Sequence, residues 1–205
     1  MGLLPGSTPR GLQGNLRAVS FPSIELQLPD WISEICEPGA LYPTIEDRID
    51  LAFTLARNNF ERETGGPFGA AVFDSQGALL APGVNLVVPT NIATAHAEVL
   101  AIGIAGRVVG SFDLGPTELV ASTDPCAMCL GAVPWSGVHR LICGARTEDA
   151  AAIGFEEGDR MPDWVERLEH RGVEVIREVK RSEGAALLSD YAARGGVIYN
   201  GRAAG

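Results

Sequence analysis

Two short motifs constrain this fold more than anything else in the chain: His96-Ala97-Glu98, and further on Pro125-Cys126-Ala127-Met128-Cys129. One imidazole and two thiolates form a donor set for a tetrahedral Zn²⁺ ion. Three protein ligands leave the fourth position to water, which marks a catalytic rather than a structural site. Whatever the fold, it must carry two distant segments to one point. In a regular helix, positions 96 and 98 would point about 200° apart. They can share one ion only by straddling a helix start, with 91–95 as its irregular entry. A Cys-x-x-Cys behind a proline fits the first turn of a second helix, where free N–H groups and the helix dipole favour thiolates. Glu98 is then a natural base for the water at the open position.

Either motif alone says little. In this order they form the pattern of zinc-dependent base deaminases. A buried cysteine pair with a satisfied core histidine is the bland alternative. A structural zinc is another; it needs a fourth ligand, for which Cys36, Cys143, His139 and His170 are the candidates, none at finger spacing.

The 205 residues suit one domain with terminal material, and 46% hydrophobic against 20% charged residues describes a folded chain. A formal charge of −10 and a pI near 4.7 disfavour a polymeric nucleic-acid partner, which needs clustered Lys and Arg. Thiolate ligands favour a reducing compartment, so the cytoplasm is expected. Neither a signal-peptide pattern nor an apolar run of roughly 18 residues is present, so no membrane association is expected.

Residues 1–30, rich in Gly and Pro, read as an N-terminal extension, with Trp31, Ile32 and Ile35 as first anchors of a catalytic domain over 31–205. Thr44 with Asp47 predicts a helix cap. Ile45, Ile49, Ala52, Phe53, Ala56 and Phe60 follow at helical spacing. Runs 68–73 and 78–84 predict a hairpin. A helix over 95–107, apolar almost all round, is expected to be buried. Strands are expected at 118–122, 139–144 and 173–179, and helices at 126–135, 163–170 and 184–194. Alternation of this kind predicts an α/β fold, a three-layer α/β/α sandwich on a five-stranded mixed sheet. The long connection before the last strand makes strands 4 and 5 parallel.

The chain resembles the cytidine deaminase-like superfamily, in its branch of guanine and ammeline deaminases and related nucleoside deaminases. The resemblance rests on Gly66-Pro67-Phe68-Gly69-Ala70-Ala71-Val72, Gly83-Val84-Asn85, the two metal motifs, the 131–137 segment, Gly154-Phe155-Glu156-Glu157-Gly158 and the Val197-Ile198-Tyr199-Asn200 tail. It implies a homodimer that removes the exocyclic amine of guanine or a related aminopurine or aminotriazine, releasing ammonia. It implies His96, Cys126 and Cys129 as zinc ligands, Glu98 as general base and Glu157 as a second proton-shuttling carboxylate. It also implies substrate contacts from Asn85, Phe68, the Ala97 backbone, Trp135 and Tyr199, and a C-terminal segment that covers the site. Each has a plainer reading: a loop acid for Glu157, a turn residue for Asn85, core packing for Phe68, Trp135, Tyr191 and Tyr199. Asp124 stands where relatives commonly carry Glu, and its role is open. Cys143 reads as packing. The alternatives are a tRNA adenosine deaminase, a cytidine or deoxycytidylate deaminase, and a zinc-stabilised interaction protein without activity.

Overall fold

The computed structural model describes residues 23–200, so most of the expected N-terminal extension lies outside the described residues. In chain order the elements are α1 (Ile32–Ile35), α2 (Ile45–Glu61), β1 (Gly69–Phe73), β2 (Leu79–Val84), α3 (Val87–Thr90), α4 (Ala97–Val109), β3 (Glu118–Thr123), α5 (Ala127–Ser136), β4 (Arg140–Ala145), α6 (Thr147–Ala152), α7 (Trp164–Glu169), β5 (Glu174–Ile176) and α8 (Arg181–Ala193). The sheet order is β2-β1-β3-β4-β5. β1 pairs antiparallel with β2 and β3, whereas β3, β4 and β5 run parallel. Strands 4 and 5 are parallel, as the length of their connection requires.

Two apolar cores flank the sheet. On one face α2 and α8 bury Ile49, Phe53, Leu55, Leu187 and Leu188 against Val120 and Ile142. On the other, α4, α5 and α7 bury Ala101, Ala105, Val133 and Leu168 against Val72, Leu119 and Leu141. This is the three-layer sandwich. β1 and β3, buried along their whole lengths, form its centre. β2 accommodates Pro82 because it is an edge strand, where a missing N–H faces no partner. The start of α2 carries the expected cap: Thr44 Oγ1 accepts from the Asp47 N–H at 3.0 Å, and Asp47 accepts from the Thr44 N–H at 3.0 Å. Trp31 and Ile32 are buried as the first anchors.

The structure corrects the sequence reading in three places. α4 is not buried all round: Ala97, Leu100, Ala101 and Ala105 are buried, but Ile102 and Ile104 are only half-buried and Gly103 and Arg107 are exposed. β5 stops at Ile176 because Arg177 turns to meet Asp124, and Glu178 and Lys180 adopt positive φ. The short helices α1, α3 and α6 have no counterpart in the predicted elements, since none spans enough turns to show a period.

One close approach couples fold to site. A Cβ on Gly83 would lie 2.1 Å from the Ala97 carbonyl oxygen, so β2 and the first turn of α4 touch backbone to backbone. Gly83→Ala is therefore expected to cost about 1–3 kcal/mol by overpacking and to lower the thermal midpoint by about 3–10 °C. Scanning calorimetry checks this; an unchanged midpoint would refute the contact.

Candidate active site

The site lies where the end of β3 meets the start of β1, at the carboxyl ends of the parallel strands, the usual crevice of α/β sheets. Antiparallel pairing sets Gly69 beside Ser122, whose Oγ accepts the Gly69 N–H at 3.1 Å. Two helices begin here. His96 is the N-cap of α4, with extended backbone (φ −78°, ψ 153°), so His96 and Glu98 straddle the helix start. Cys126 is the N-cap of α5, likewise extended, and Cys129 stands one turn in.

The three donors converge. His96 Nδ1 lies 3.6 Å from both Cys126 Sγ and Cys129 Sγ. All three ligand atoms fall within 4.8 Å of one another, and among the described residues the cluster consists of these three side chains. Cys36, Cys143, His139 and His170 are no part of it; His139 Nδ1 is instead bonded to the Thr117 carbonyl at 2.8 Å. Cys143 is packed in β4, as expected. The donor chemistry fits a divalent cation. The hydrogen bond with Cys129 draws the Cys126 thiol down to about 4, and the same bond pushes the Cys129 thiol well up. One imidazole and two sulfurs at this spacing suit Zn²⁺, which deprotonates coordinating thiols outright.

Around the donors is a cavity of about 210 Å³, walled by Phe68, Phe155 and Tyr199 and carrying Glu98, Glu157 and Asp124. Burial raises the Glu98 carboxyl above its usual range. Burial, then the charges of Cys126 and Glu98, push Glu157 up to about 8. Two buried acids beside a tripod of metal donors can move protons at neutral pH. The Glu157 carbonyl accepts the free Ala127 N–H at the start of α5 (2.9 Å), which ties its loop to the cysteine helix.

Phe68 lines the cavity with its ring 5.0 Å from that of Phe155, edge to face. Phe155 also meets Tyr199 at 5.1 Å and Tyr191 at 6.1 Å, so the wall is an aromatic cluster. Tyr199 presents a buried hydroxyl with no hydrogen-bond partner among the described residues. Its neighbour Asn200 clips the tail down, accepting the Glu156 N–H at 2.9 Å and donating to the Gly154 carbonyl at 3.0 Å. Tyr191 instead bonds the Val197 carbonyl and packs in the core. Ala97 is buried as the first residue of α4, between two residues of the cavity wall. Asn85 is 1% exposed, immediately behind the wall, with Oδ1 accepting the Val87 N–H at 3.2 Å. Trp135 is the exception. It stands 84% exposed at the far end of α5 and does not line the cavity, contrary to its expected place in the pocket and to the core alternative.

The sequence reading passed over Asn59. Fully buried on α2, it donates through Nδ2 to the carbonyls of Gly66 (2.9 Å) and Asn85 (2.8 Å), joining the two loops that carry Phe68 and Asn85. Its signal was an amide inside the apolar stripe of a helix, between Ala56 and Phe60.

Absorption spectroscopy at the zinc edge is expected to find two sulfurs, one nitrogen and one further light atom. Cys129→Ser should strip most of the bound metal, as measured by elemental analysis; full zinc occupancy in that variant would refute the tripod.

Residues 43–145 match the family model described as the cytidine and deoxycytidylate deaminase zinc-binding region. The guanine deaminase of Bacillus subtilis (strain 168) is 42% identical over 112 residues, covering 55% of this chain and 71% of the relative. A solved guanine deaminase from Nitrosomonas europaea aligns at TM-score 0.80 and 38% identity, over 86% of this chain and 100% of the other. A crystal structure in complex with 2,6-diaminopurine aligns at TM-score 0.81 and 42% identity, over 87% and 97%. The chain belongs to the family of the cytidine and deoxycytidylate deaminase zinc-binding region, and is a zinc-dependent hydrolytic deaminase.

Proposed function

We propose that this deaminase, its catalytic unit running from residue 31, acts on guanine or a closely related aminopurine or aminotriazine. Guanine and water become xanthine and ammonia. One observation carries this reading: two buried acids and the metal tripod share a small cavity with an aromatic wall, sized for a planar base. The Bacillus subtilis and Nitrosomonas europaea relatives are guanine deaminases, and a similar structure holds an aminopurine. The acidic balance of the chain speaks against a tRNA substrate.

The chain's own residues account for the remaining steps. When bound by His96, Cys126 and Cys129, zinc supplies a water activated for attack at neutral pH. Phe68 stacks on the ring and fixes its plane. Glu98 takes the proton from water and passes it to a ring nitrogen as the carbon bearing the amine is attacked. Glu157, buried in the same cavity, gives a proton to the departing amine as the carbon–nitrogen bond breaks and recovers one from the new hydroxyl as it becomes the carbonyl of the product. Asn85 and the first-turn N–H of Ala97 donate to the heterocycle edge. The Tyr199 hydroxyl, without a partner, offers a further polar contact from the tail.

The molecule acts as a homodimer in the cytoplasm. Phe112 (90% exposed) and Trp135 (84%) line an open groove between α4 and α5. Gly103 and Gly131 leave that groove flat, with nothing within 4 Å of a built Cβ. Large aromatic groups on a flat apolar face fit a second copy of the chain, and an isologous contact is the usual form. The four cysteines are free, consistent with a reducing compartment. Among the described residues no helix is long and apolar enough to cross a membrane.

An ammonia-release assay over guanine, guanosine, ammeline, cytosine, cytidine and adenine tests the substrate; turnover of cytidine alone would overturn the reading. Glu98→Gln is expected to keep its zinc and lose about 10²–10⁴ in turnover. A wild-type rate in that variant would remove its assigned role. Trp135→Glu should shift the sedimentation coefficient to that of a monomer, and a wild-type species that already sediments as a monomer would exclude the dimer.

A further inference from the structure

Three residues beyond Glu157 the loop makes a contact that the proposed chemistry does not use. Asp124, directly before the Pro125-Cys126 turn, has a fully buried side chain. Arg177 grips its carboxylate with two donors, Nε to Oδ1 at 3.0 Å and Nη2 to Oδ2. Arg160 approaches the same carboxylate, with Nη2 3.8 Å from Oδ2. The Trp164 ring receives both guanidiniums, with Cζ of Arg160 and Arg177 at 4.9 and 5.0 Å from its centroid. One carboxylate and one indole thus gather two cations that would otherwise repel each other. Arg160 pays for this position. Its Nε and Nη2 are buried with no hydrogen-bond partner among the described residues, which costs stability and calls for a reason.

The loop supplies that reason. Gly154 and Gly158, at φ 105° and 72°, flank Glu157 and leave the backbone between them free to turn. Something on each side must therefore hold it. Upstream the anchor is Phe155, set among Phe68, Tyr191 and Tyr199. Downstream it is Arg160, whose N–H also bonds the Gly158 carbonyl at 2.9 Å. The charge of Arg160 reaches Glu157, drawing its carboxyl down against the effect of burial.

We infer that Arg160, seated on Trp164 and Asp124, is a positioning residue for Glu157: it sets where that carboxylate meets the substrate without touching substrate itself. Asp124 thereby gains a role. It joins the cysteine turn, the end of β5 and the Glu157 loop, and its short side chain is met by the long reach of Arg177. The inference rests on the reading of Glu157 as the second proton carrier.

Steady-state kinetics of R160A, R160K, E157Q and R160A/E157Q decide it, each with zinc content and thermal midpoint measured alongside. R160A is expected to lower kcat by up to about 10²-fold, as a small misplacement of a catalytic group does, with KM and zinc content close to wild type. R160K should recover only part of the loss, because an ammonium cannot lie flat on the indole. The double variant should be no slower than E157Q alone, since both changes act through one carboxylate. Losses that multiply in the double variant would overturn the inference. So would a wild-type kcat in R160A, or a loss of zinc in proportion to its loss of rate. If E157Q itself turns over at the wild-type rate, the reading of Glu157 fails instead, and the two failures are told apart.

Discussion

The structure depends on two helices beginning at one point. His96 and Glu98 face the same space because they straddle a helix start, and the Cys-x-x-Cys likewise opens a helix, where free N–H groups lie near the sulfurs. The sheet brings the two starts together. β1 runs antiparallel to β3, so the first residue of one lies beside the last residues of the other. α4 packs on β2 and β1, α5 follows β3, and both helices point their N-termini into the same gap. The sandwich serves as a frame that presents two positive helix ends to two thiolates and two carboxylates.

That gap is electrostatically crowded. Glu98, Glu157, Cys126 and Cys129 all lie within the reach of one another's charge, and each carboxyl is raised by its burial. A divalent ion at the three donors offsets this crowding of negative charge.

The metal tripod and Glu98 were legible in the chain because ligand chemistry is written in spacing, and a two-residue or three-residue interval admits few geometries. The hairpin and the amphipathic α2 were legible for the same reason of period. Glu157 had no such signal. It is one acid among several in a glycine-rich loop, and only likeness to a family singled it out. Trp135 misled because a tryptophan in an apolar helix looks like core, and a single chain does not say which apolar face meets its own interior and which meets solvent. The alternation of the last strand runs on past Ile176, but Asp124 draws Arg177 away from the sheet, a long-range ion pair that no local pattern announces. Asn59 was passed over because a lone amide in a helix has no spacing partner.

Asn59 has a wider meaning for how such a molecule can change over evolutionary time. It belongs to the layer on one side of the sheet, yet it ties together the two loops that carry Phe68 and Asn85. Gly65 beside it has no room even for a methyl group, whose carbon would sit 2.0 Å from the Asn85 carbonyl oxygen and 2.6 Å from the Asn59 amide nitrogen. Helix α2 and these two loops therefore cannot drift independently. A lineage that exchanges this amide must rebuild both loops in concert, so diversification of the cavity has easier routes through the tail and the aromatic wall than through α2.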